Sequence, residues 1–244
     1  MTIISSVQNL KQSIRDVAEK SGRDPESVRL VLVTKTVEPS LVLEAYQSGE
    51  RDFGENRVQE WQEKKDALPK DIRWHLIGYL QTNKVKYVVG QVAIIHSLDR
   101  LELADAIDKQ AKAKGIAEVP CLVQVNMSGE ESKFGLDPAR VEDFVKQMLR
   151  RSTIKILGLM SIGPSPTSGQ ASPDSQGRLL TEDQGRIREC FRKTRELREV
   201  LKKKFPQYSW DVLSMGMSGD FRVAIEEGSN MLRIGTLVFG DRKR

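Results

Sequence analysis

Hydrophobic and polar residues follow two alternating periods along this chain. A helical period covers residues 4–21, and a mostly apolar run then leads from Val28 to Thr34, where it meets Lys35. Such runs are typical of strands that are covered on both faces, as in a parallel sheet. The change from a strand-like run to an amphipathic helical segment recurs along the chain. This pattern predicts an α/β fold built around a parallel sheet.

Eight strand-like segments are present, and a helical segment follows each of them except the last. The predicted strands are residues 28–35, 51–56, 72–78, 93–99, 119–127, 154–162, 208–215 and 231–239. Eight repeats in 244 residues favour a single closed (β/α)8 barrel of the TIM type, with an extra helix in front of it. An open doubly wound sheet is the alternative, and it is weakened because no Gly-x-Gly-x-x-Gly motif follows the first strand.

One segment interrupts the alternation of strands and helices. Residues 164–180 are rich in Pro, Ser and Gly, a composition that is typical of a flexible loop. The alternation resumes after this segment, so we interpret it as a loop within a single domain that spans residues 1–244. A lid over a binding site is a second interpretation of the same loop.

Composition and charge exclude several classes of function. The net charge of +5 comes largely from Lys202–Lys204 and residues 241–244, and no aromatic residues are interleaved with these basic runs, which argues against nucleic-acid binding. The two cysteines and two histidines lack the neighbours of a metal site. No apolar run approaches the length of a membrane span, and the first residues do not resemble a signal peptide. We expect a soluble cytoplasmic protein.

Polar side chains gather where the predicted strands end. In (β/α)8 barrels the active site lies at the C-terminal ends of the strands. This sequence places Lys35, Asn56, His75, Ser161 and Arg233 at or near those ends. A lysine that is partly desolvated there becomes a nucleophile, although a strand-end lysine whose ammonium group reaches water is the simpler interpretation.

Two glycine-containing turns predict an anion site. Residues 214–220 and Gly235–Thr236 lie near the ends of the last two predicted strands. Backbone N–H groups in such turns suit a phosphate, and TIM barrels commonly bind phosphate at these two positions. A lysine that faces a phosphate site commonly has one of two chemical roles. It forms a Schiff base with a sugar phosphate, as in class I aldolases, or with the aldehyde of pyridoxal phosphate.

Seven sequence blocks carry a resemblance to a known family. They are residues 33–36, 53–60, 75–84, 133–136, 158–162, 213–220 and 233–240. Together they resemble the pyridoxal phosphate homeostasis protein family, which is similar in fold to the N-terminal domain of alanine racemase, the barrel of fold-type III enzymes. The resemblance extends from about residue 5 to residue 241, and residues 164–180 are the part that it does not cover.

The resemblance implies a role for each candidate residue. Lys35 would hold pyridoxal phosphate as an internal aldimine, Arg233 would face the pyridine nitrogen, and Asn56 would lie near the ring. The phosphate would be held by Ser214, Met215, Gly216, Met217, Ser218, Gly235 and Thr236. His75, with Met160 or Ser161, would line the cavity. Lys84 and Lys133 are the alternative lysines, and neither a catalytic residue nor a metal ligand is predicted.

The family resemblance also implies a function. It predicts a protein that binds, buffers and delivers pyridoxal phosphate, with transient contact to pyridoxal phosphate-dependent apoenzymes and effects on amino-acid and keto-acid balance. In alanine racemase a tyrosine from a C-terminal domain serves as the second base, whereas only Asp241–Arg244 follows the last predicted block here. We therefore expect a monomer without robust turnover. The alternatives are a low-activity pyridoxal phosphate-dependent racemase or lyase, and a Schiff-base aldolase.

Overall fold

Eight parallel strands close into a barrel in the computed structural model, which describes residues 2–165, 171–173 and 179–240. The barrel strands are β1 (Arg29–Val33), β2 (Asp52–Glu55), β3 (Arg73–Leu76), β4 (Ile94–Leu98), β5 (Val119–Val125), β6 (Ile154–Ser161), β9 (Val212–Ser214) and β10 (Met231–Ile234). Around the barrel they follow the order β1-β10-β9-β6-β5-β4-β3-β2. The first and last strands of the chain are therefore hydrogen-bonded neighbours, and the predicted (β/α)8 barrel is confirmed.

Helices alternate with the strands and cover the outside of the barrel. They are α1 (Ile3–Lys20), α2 (Pro39–Gln47), α3 (Val58–Ala67), α4 (Val85–Val88), α5 (Leu101–Ala113), α6 (Val141–Met148), α7 (Glu182–Lys204), α8 (Phe221–Glu226) and α9 (Thr236–Phe239). The extra helix α1 packs against α2, α8 and α9 and buries Val7, Leu10 and Ile14. Within the described ranges, the model contains no helix whose length and apolar content would let it cross a bilayer.

The last two barrel strands differ from their predicted bounds. The strand predicted from residue 208 begins only at Val212, because Trp210 has a φ of 55°, which lies outside the β region. The strand predicted over residues 231–239 ends at Ile234, and Thr236–Phe239 form α9. A short run of apolar residues does not distinguish a strand from a helix, which explains the wrong assignment.

The segment predicted as a loop contains two short strands. β7 (Ala171–Pro173) and β8 (Leu179–Thr181) form a separate antiparallel two-stranded sheet. Most of the rest of the predicted loop, residues 166–170 and 174–178, lies outside the described residues. The flexible loop that the sequence predicts over residues 164–180 therefore stays a prediction, within which β7 and part of β8 have regular structure.

Alternate residues of the barrel strands form a separate interior cluster. Val31, Ile94, Leu122, Met160 and Met231 pack together apart from the larger core between strands and helices. These residues come from strands on opposite sides of the barrel, so the cluster lies inside it. Side chains alternate with a period of two along a strand. The interior face of β1 therefore leads from Val31 through Val33 towards Lys35, and that of β10 leads from Met231 to Arg233.

Candidate functional site

Lys35 lies just beyond the C-terminal end of β1 and is half-buried. The residue before it is held by a buried ion pair. Thr34 Oγ1 donates to Glu55 Oε1 at 2.6 Å, and the Thr34 carbonyl oxygen accepts from Lys64 Nζ at 2.6 Å. Lys64 Nζ also lies 2.6 Å from Glu55 Oε1. The backbone that carries Lys35 is therefore fixed from the outer side of the barrel.

The residue after Lys35 is held as well. Thr36 has a φ of 60°, in the left-handed region that β-branched residues rarely adopt. Its N–H donates to Glu60 Oε2 at 2.9 Å, which stabilises this conformation. Strained backbone that is held by its surroundings is concentrated at functional sites. Both neighbours of Lys35 thus hold its backbone in one place.

The Glu55–Lys64 pair is a feature that the sequence-based prediction missed. Both side chains are buried, Glu55 at 0% and Lys64 at 6% exposure. Burial raises the pKa of the Glu55 carboxyl, and the hydrogen bonds from Lys64 and Thr34 offset only part of this effect. A signal was present in α3, because Val58, Trp61 and Lys64 follow the helical period and so place a lysine in the buried stripe.

Arg233 is a buried cation inside the barrel, with 4% of its surface exposed. Its Nη1 donates to Ser214 Oγ at 2.6 Å, and its Nη2 donates to the Ser161 carbonyl oxygen at 2.9 Å. Burial lowers the pKa of Arg233 to about 10, so the guanidinium remains charged at neutral pH. In the described part of the chain Arg233 forms no ion pair within salt-bridge distance, and its five N–H donors exceed these two acceptors.

Two buried histidines lie in the barrel interior, and one of them, His96, is linked to Arg233 through the Ser214 hydroxyl. His75 Nδ1 is 2.9 Å from His96 Nε2, His75 Nε2 is 3.0 Å from Asp52 Oδ1, and His96 Nδ1 is 3.2 Å from Ser214 Oγ. Burial lowers the pKa of both histidines. Burial alone would raise the pKa of Asp52, but hydrogen bonds from Arg73 and His75 outweigh it and hold that pKa well below its usual value.

The predicted cavity-lining residues occupy different surroundings. His75 is buried against His96 and Asp52. Met160 belongs to the apolar interior cluster. The Ser161 hydroxyl accepts from Thr194 Oγ1 at 3.1 Å on the helix side, so only its carbonyl oxygen reaches Arg233.

The two predicted phosphate turns lie side by side. Thr236 Oγ1 donates to Ser218 Oγ at 2.9 Å, which joins the turn after β9 to the turn after β10. Among the described residues, the amide N–H groups of Ser218, Gly219, Gly235 and Thr236 have no hydrogen-bond acceptor. These four donors lie at the C-terminal end of the barrel, and we call them the anion cradle because unpaired N–H groups in such turns suit an anion.

Three of the predicted phosphate residues have other hydrogen-bond partners. The Met215 N–H donates to Ser229 Oγ at 3.4 Å, and the Met217 N–H donates to Asp220 Oδ1 at 2.5 Å. The Ser214 hydroxyl faces Arg233 and His96. Only some of the predicted phosphate-binding residues therefore offer an N–H group to an anion. Those donors belong to Ser218, Gly235 and Thr236, and Gly219, which was not predicted, adds a fourth.

Gly216 is required by the shape of the cradle. Its φ is +92°, and a Cβ atom there would lie 2.6 Å from the Cβ of Ala224 and 3.2 Å from the Cα of Phe221. We expect Gly216→Ala to lower the free energy of unfolding by about 2–3 kcal/mol, measured by urea denaturation, because both strain and overpacking oppose the added methyl group.

Gly219 provides the matched control in the same turn. A Cβ atom at this residue would meet nothing within 4 Å, and its φ lies outside the left-handed region. Gly219→Ala should change the free energy of unfolding by less than about 0.5 kcal/mol. Equal losses in the two variants would contradict the steric argument.

Asn56 lies at the edge of an open cavity of about 670 Å³. The walls include Gly78 and Tyr79, just after β3, and Lys84 further along the chain, whereas Lys35 and Arg233 do not line it. A Cβ atom at Gly78 would lie 2.4 Å from the carbonyl oxygen of Asn56, so glycine allows the two loops to approach. Asn56 is therefore the one predicted cofactor-binding residue that lines this cavity.

Lys133 follows β5, which lies across the barrel from β1, and its ammonium group is held by two hydrogen bonds. Its Nζ donates to the Gly163 carbonyl oxygen at 2.7 Å and to Glu130 Oε1 at 2.9 Å. Asn126 Nδ2 donates to the carbonyl oxygens of Glu130 and Lys133 at 2.9 and 3.2 Å. These contacts order the loop after β5. In the described residues, no group of three His, Cys, Asp or Glu side chains is arranged to hold a metal ion.

The fold and these residues match a known class of protein. The family model of the alanine racemase N-terminal domain matches residues 5–243. At the level of fold, the alanine racemase of Clostridium difficile has a TM-score of 0.71 at 15% identity, covering 100% of this chain and 57% of that one. The class is therefore the barrel of the alanine racemase N-terminal type.

Relatives of greater similarity define the family more narrowly. The pyridoxal phosphate homeostasis protein of Aquifex aeolicus is 41% identical over 244 residues, which is 100% of both chains. The structure of PipY from Synechococcus elongatus, with pyridoxal phosphate bound, is 31% identical with a TM-score of 0.80, covering 98% of this chain and 100% of that one. The chain belongs to the pyridoxal phosphate homeostasis protein family, as the seven sequence blocks predicted.

Proposed function

We propose that this protein binds pyridoxal phosphate, with Lys35 holding its aldehyde carbon covalently. The observation that carries this proposal is that the three groups needed come from three neighbouring strands. Lys35 follows β1, Arg233 lies on β10, and the anion cradle follows β9 and β10. A lysine amine, a cation and a phosphate cradle on adjacent strands match the three ends of this one ligand.

The spacing of Lys35 and Arg233 supports the same ligand. Arg233 is in register with Val31 of β1, and Lys35 follows four residues later, roughly 13 Å along the strand direction. Two long side chains with a pyridine ring between them would fill that distance. The N–H donors of Arg233 that lack acceptors among the described residues give the ring nitrogen a partner.

Arg233 supports binding and delivery over catalytic turnover. A guanidinium group is permanently charged and can only donate hydrogen bonds, so it keeps the ring nitrogen that it faces unprotonated. The bound cofactor supplies an electrophilic aldehyde, and an unprotonated ring withdraws electrons from it only weakly. We infer a carrier that buffers pyridoxal phosphate and passes it to apoenzymes. The names of the similar homeostasis proteins support this inference.

The absorption spectrum of the purified protein tests the binding proposal. We expect a visible band that borohydride abolishes, with the reduced label on Lys35. Lys35→Ala should lose the band, because no other residue in the proposed site is an amine. Lys84→Ala is the matched control, since Lys84 lines the neighbouring cavity, and it should keep the band. A label on Lys84 or Lys133 would contradict the assignment of Lys35.

Two further assays separate a carrier from an enzyme. Loaded protein mixed with a pyridoxal phosphate-dependent apoenzyme should activate it beyond the level that the same concentration of free cofactor gives. A panel of amino acids should show no robust racemase or lyase turnover. Turnover of any of them at ordinary enzymatic rates would replace the carrier proposal with the catalytic alternative.

A further inference from the structure

A chain of hydrogen bonds crosses the interior of the barrel from Arg233 to Asp52. Arg233 Nη1 lies 2.6 Å from Ser214 Oγ, which lies 3.2 Å from His96 Nδ1. On the other side of the same ring, His96 Nε2 lies 2.9 Å from His75 Nδ1. The last contact joins His75 Nε2 to Asp52 Oδ1 at 3.0 Å. Strands β6 and β5 separate β9 from β4, so the link between Ser214 and His96 spans the barrel rather than joining adjacent strands.

The two ends of this chain determine the direction of each hydrogen bond. The Asp52 carboxylate only accepts, so His75 donates from Nε2. A neutral His75 then accepts at Nδ1 from the Nε2–H of His96. His96 in turn accepts at Nδ1 from the hydroxyl of Ser214. The lone pairs of that hydroxyl accept from Arg233, and every polar atom along the chain has a partner of the right kind.

The opposite direction requires a protonated His75. That imidazolium would be buried, and the cost of burying its charge outweighs the favourable contact with Asp52, while the guanidinium groups of Arg29 and Arg73 also oppose it. Arg73 already forms an ion pair with Asp52, at 2.5 Å between Nη2 and Oδ2. His96, which is fully buried, faces His75 from the adjacent strand β3 and the charge of Arg233 from across the barrel. We therefore expect both imidazoles to be neutral.

We propose that His96 and His75 are positioning residues, which act through Ser214 to hold the Arg233 guanidinium where the cofactor ring binds. This inference rests on the proposed binding of pyridoxal phosphate and extends it to the barrel interior. His96 keeps the Ser214 hydroxyl proton turned away from Arg233, so the oxygen lone pairs stay available to the guanidinium. Asp52 and His75 hold His96 in the tautomer that this arrangement needs.

A measurement on the protein alone tests the direction of the chain. The sequence contains only two histidines, so long-range ¹H–¹⁵N spectra of the uniformly labelled full chain contain only two imidazole patterns. At pH 7 we expect both rings to be neutral and both to carry their proton on Nε2. A protonated His75, or an Nδ1–H tautomer of His96, would overturn the proposal.

Variants test the effect on the bound ligand. His96→Leu removes both ring nitrogens. We expect about tenfold weaker binding of pyridoxal phosphate, with a shifted absorption maximum of the bound form, because the guanidinium loses one fixed contact. His96→Asn keeps an acceptor near the Nδ1 position and should restore part of the affinity. Competition by inorganic phosphate should be unchanged, since the cradle lies on other residues.

Ser97→Ala is the matched control on the same strand. The Ser97 hydroxyl is buried and has no hydrogen-bond partner among the described residues, so its loss should leave affinity and spectrum at wild-type values. If His96→Leu lowers thermal stability but leaves affinity and absorption maximum unchanged, the positioning role is refuted. If His96→Leu does not fold, Ser214→Ala breaks the chain at the next link and should give the same spectral shift. A wild-type protein that binds no pyridoxal phosphate refutes the proposed function instead.

Discussion

Lys64→Met should lower the free energy of unfolding by about 3–5 kcal/mol, the largest loss that we expect from one substitution. The variant leaves the Glu55 carboxylate buried without its partner. Glu55 Oε2 already lacks a hydrogen bond among the described residues, so only the neutral Thr34 hydroxyl, which donates to Oε1, would remain to stabilise the carboxylate. Urea denaturation at pH 7 measures the difference.

The loss in this variant should increase with pH. Burial already raises the pKa of Glu55, and removing the Lys64 ammonium raises it further. Between the unfolded and folded pKa values the folded state binds one more proton than the unfolded state, so stability falls as the pH rises. Denaturation at pH 5 should therefore show a smaller loss than denaturation at pH 8.

Two variants serve as controls for the ion pair. Lys65→Met changes the adjacent residue of α3, which is only partly buried, and should cost less than about 1 kcal/mol. Glu55→Gln combined with Lys64→Met removes both charges and should recover most of the stability that Lys64→Met loses. A loss in Lys64→Met no greater than that in Lys65→Met would show that the pair carries no buried charge.

The strand count was predictable from the sequence because each strand and helix keeps its own hydrophobic period. The errors occur where that local signal is ambiguous. Thr236–Phe239 are apolar and could belong to either element, and only the end of the pairing with β1 makes them helical. The start of β9 depends on the backbone of Trp210, which no periodicity encodes.

The candidate site was predictable where it depends on strand ends. The two-residue period of a strand places Arg233 in the interior and gives Lys35 the same parity as the interior residue Val31, and the glycines mark the turns of the cradle. His96 has the same parity as Ile94 on β4, yet the sequence-based prediction omitted it. Its partner Ser214 is on β9, and that contact exists only because the barrel closes.

The backbone N–H groups that are available to a phosphate could be identified only from the structure. A sequence shows that residues 214–220 form a glycine-rich turn, but not which N–H groups are already used. Asp220 takes the N–H of Met217, and Ser229 takes that of Met215. Side chains that compete for backbone donors depend on tertiary contacts, so the division of the predicted set could not be read from spacing.

Acidification should destabilise the wild-type protein more steeply than His96→Leu. Burial holds the pKa of His96 well below 6.5 in the folded state, whereas the unfolded histidine titrates near that value. Below pH 6.5 the unfolded state therefore binds one more proton than the folded state at this residue, and the stability of the folded state falls as the pH falls. The slope for His96 alone is about 1 kcal/mol per pH unit.

The comparison of two slopes separates His96 and its partner His75 from the titrating groups elsewhere in the chain. Glu55, Asp99 and Asp220 have raised pKa values, and these groups stabilise the folded state as the pH falls through them. They are present in both proteins, so their contributions cancel in the difference between wild type and variant. Urea denaturation at pH 6.5, 6.0 and 5.5 gives the two slopes. Equal slopes would mean that His96 takes up its proton as readily inside the barrel as in the unfolded chain. A His96 that is protonated so readily could not serve as the fixed hydrogen-bond acceptor for the Ser214 hydroxyl.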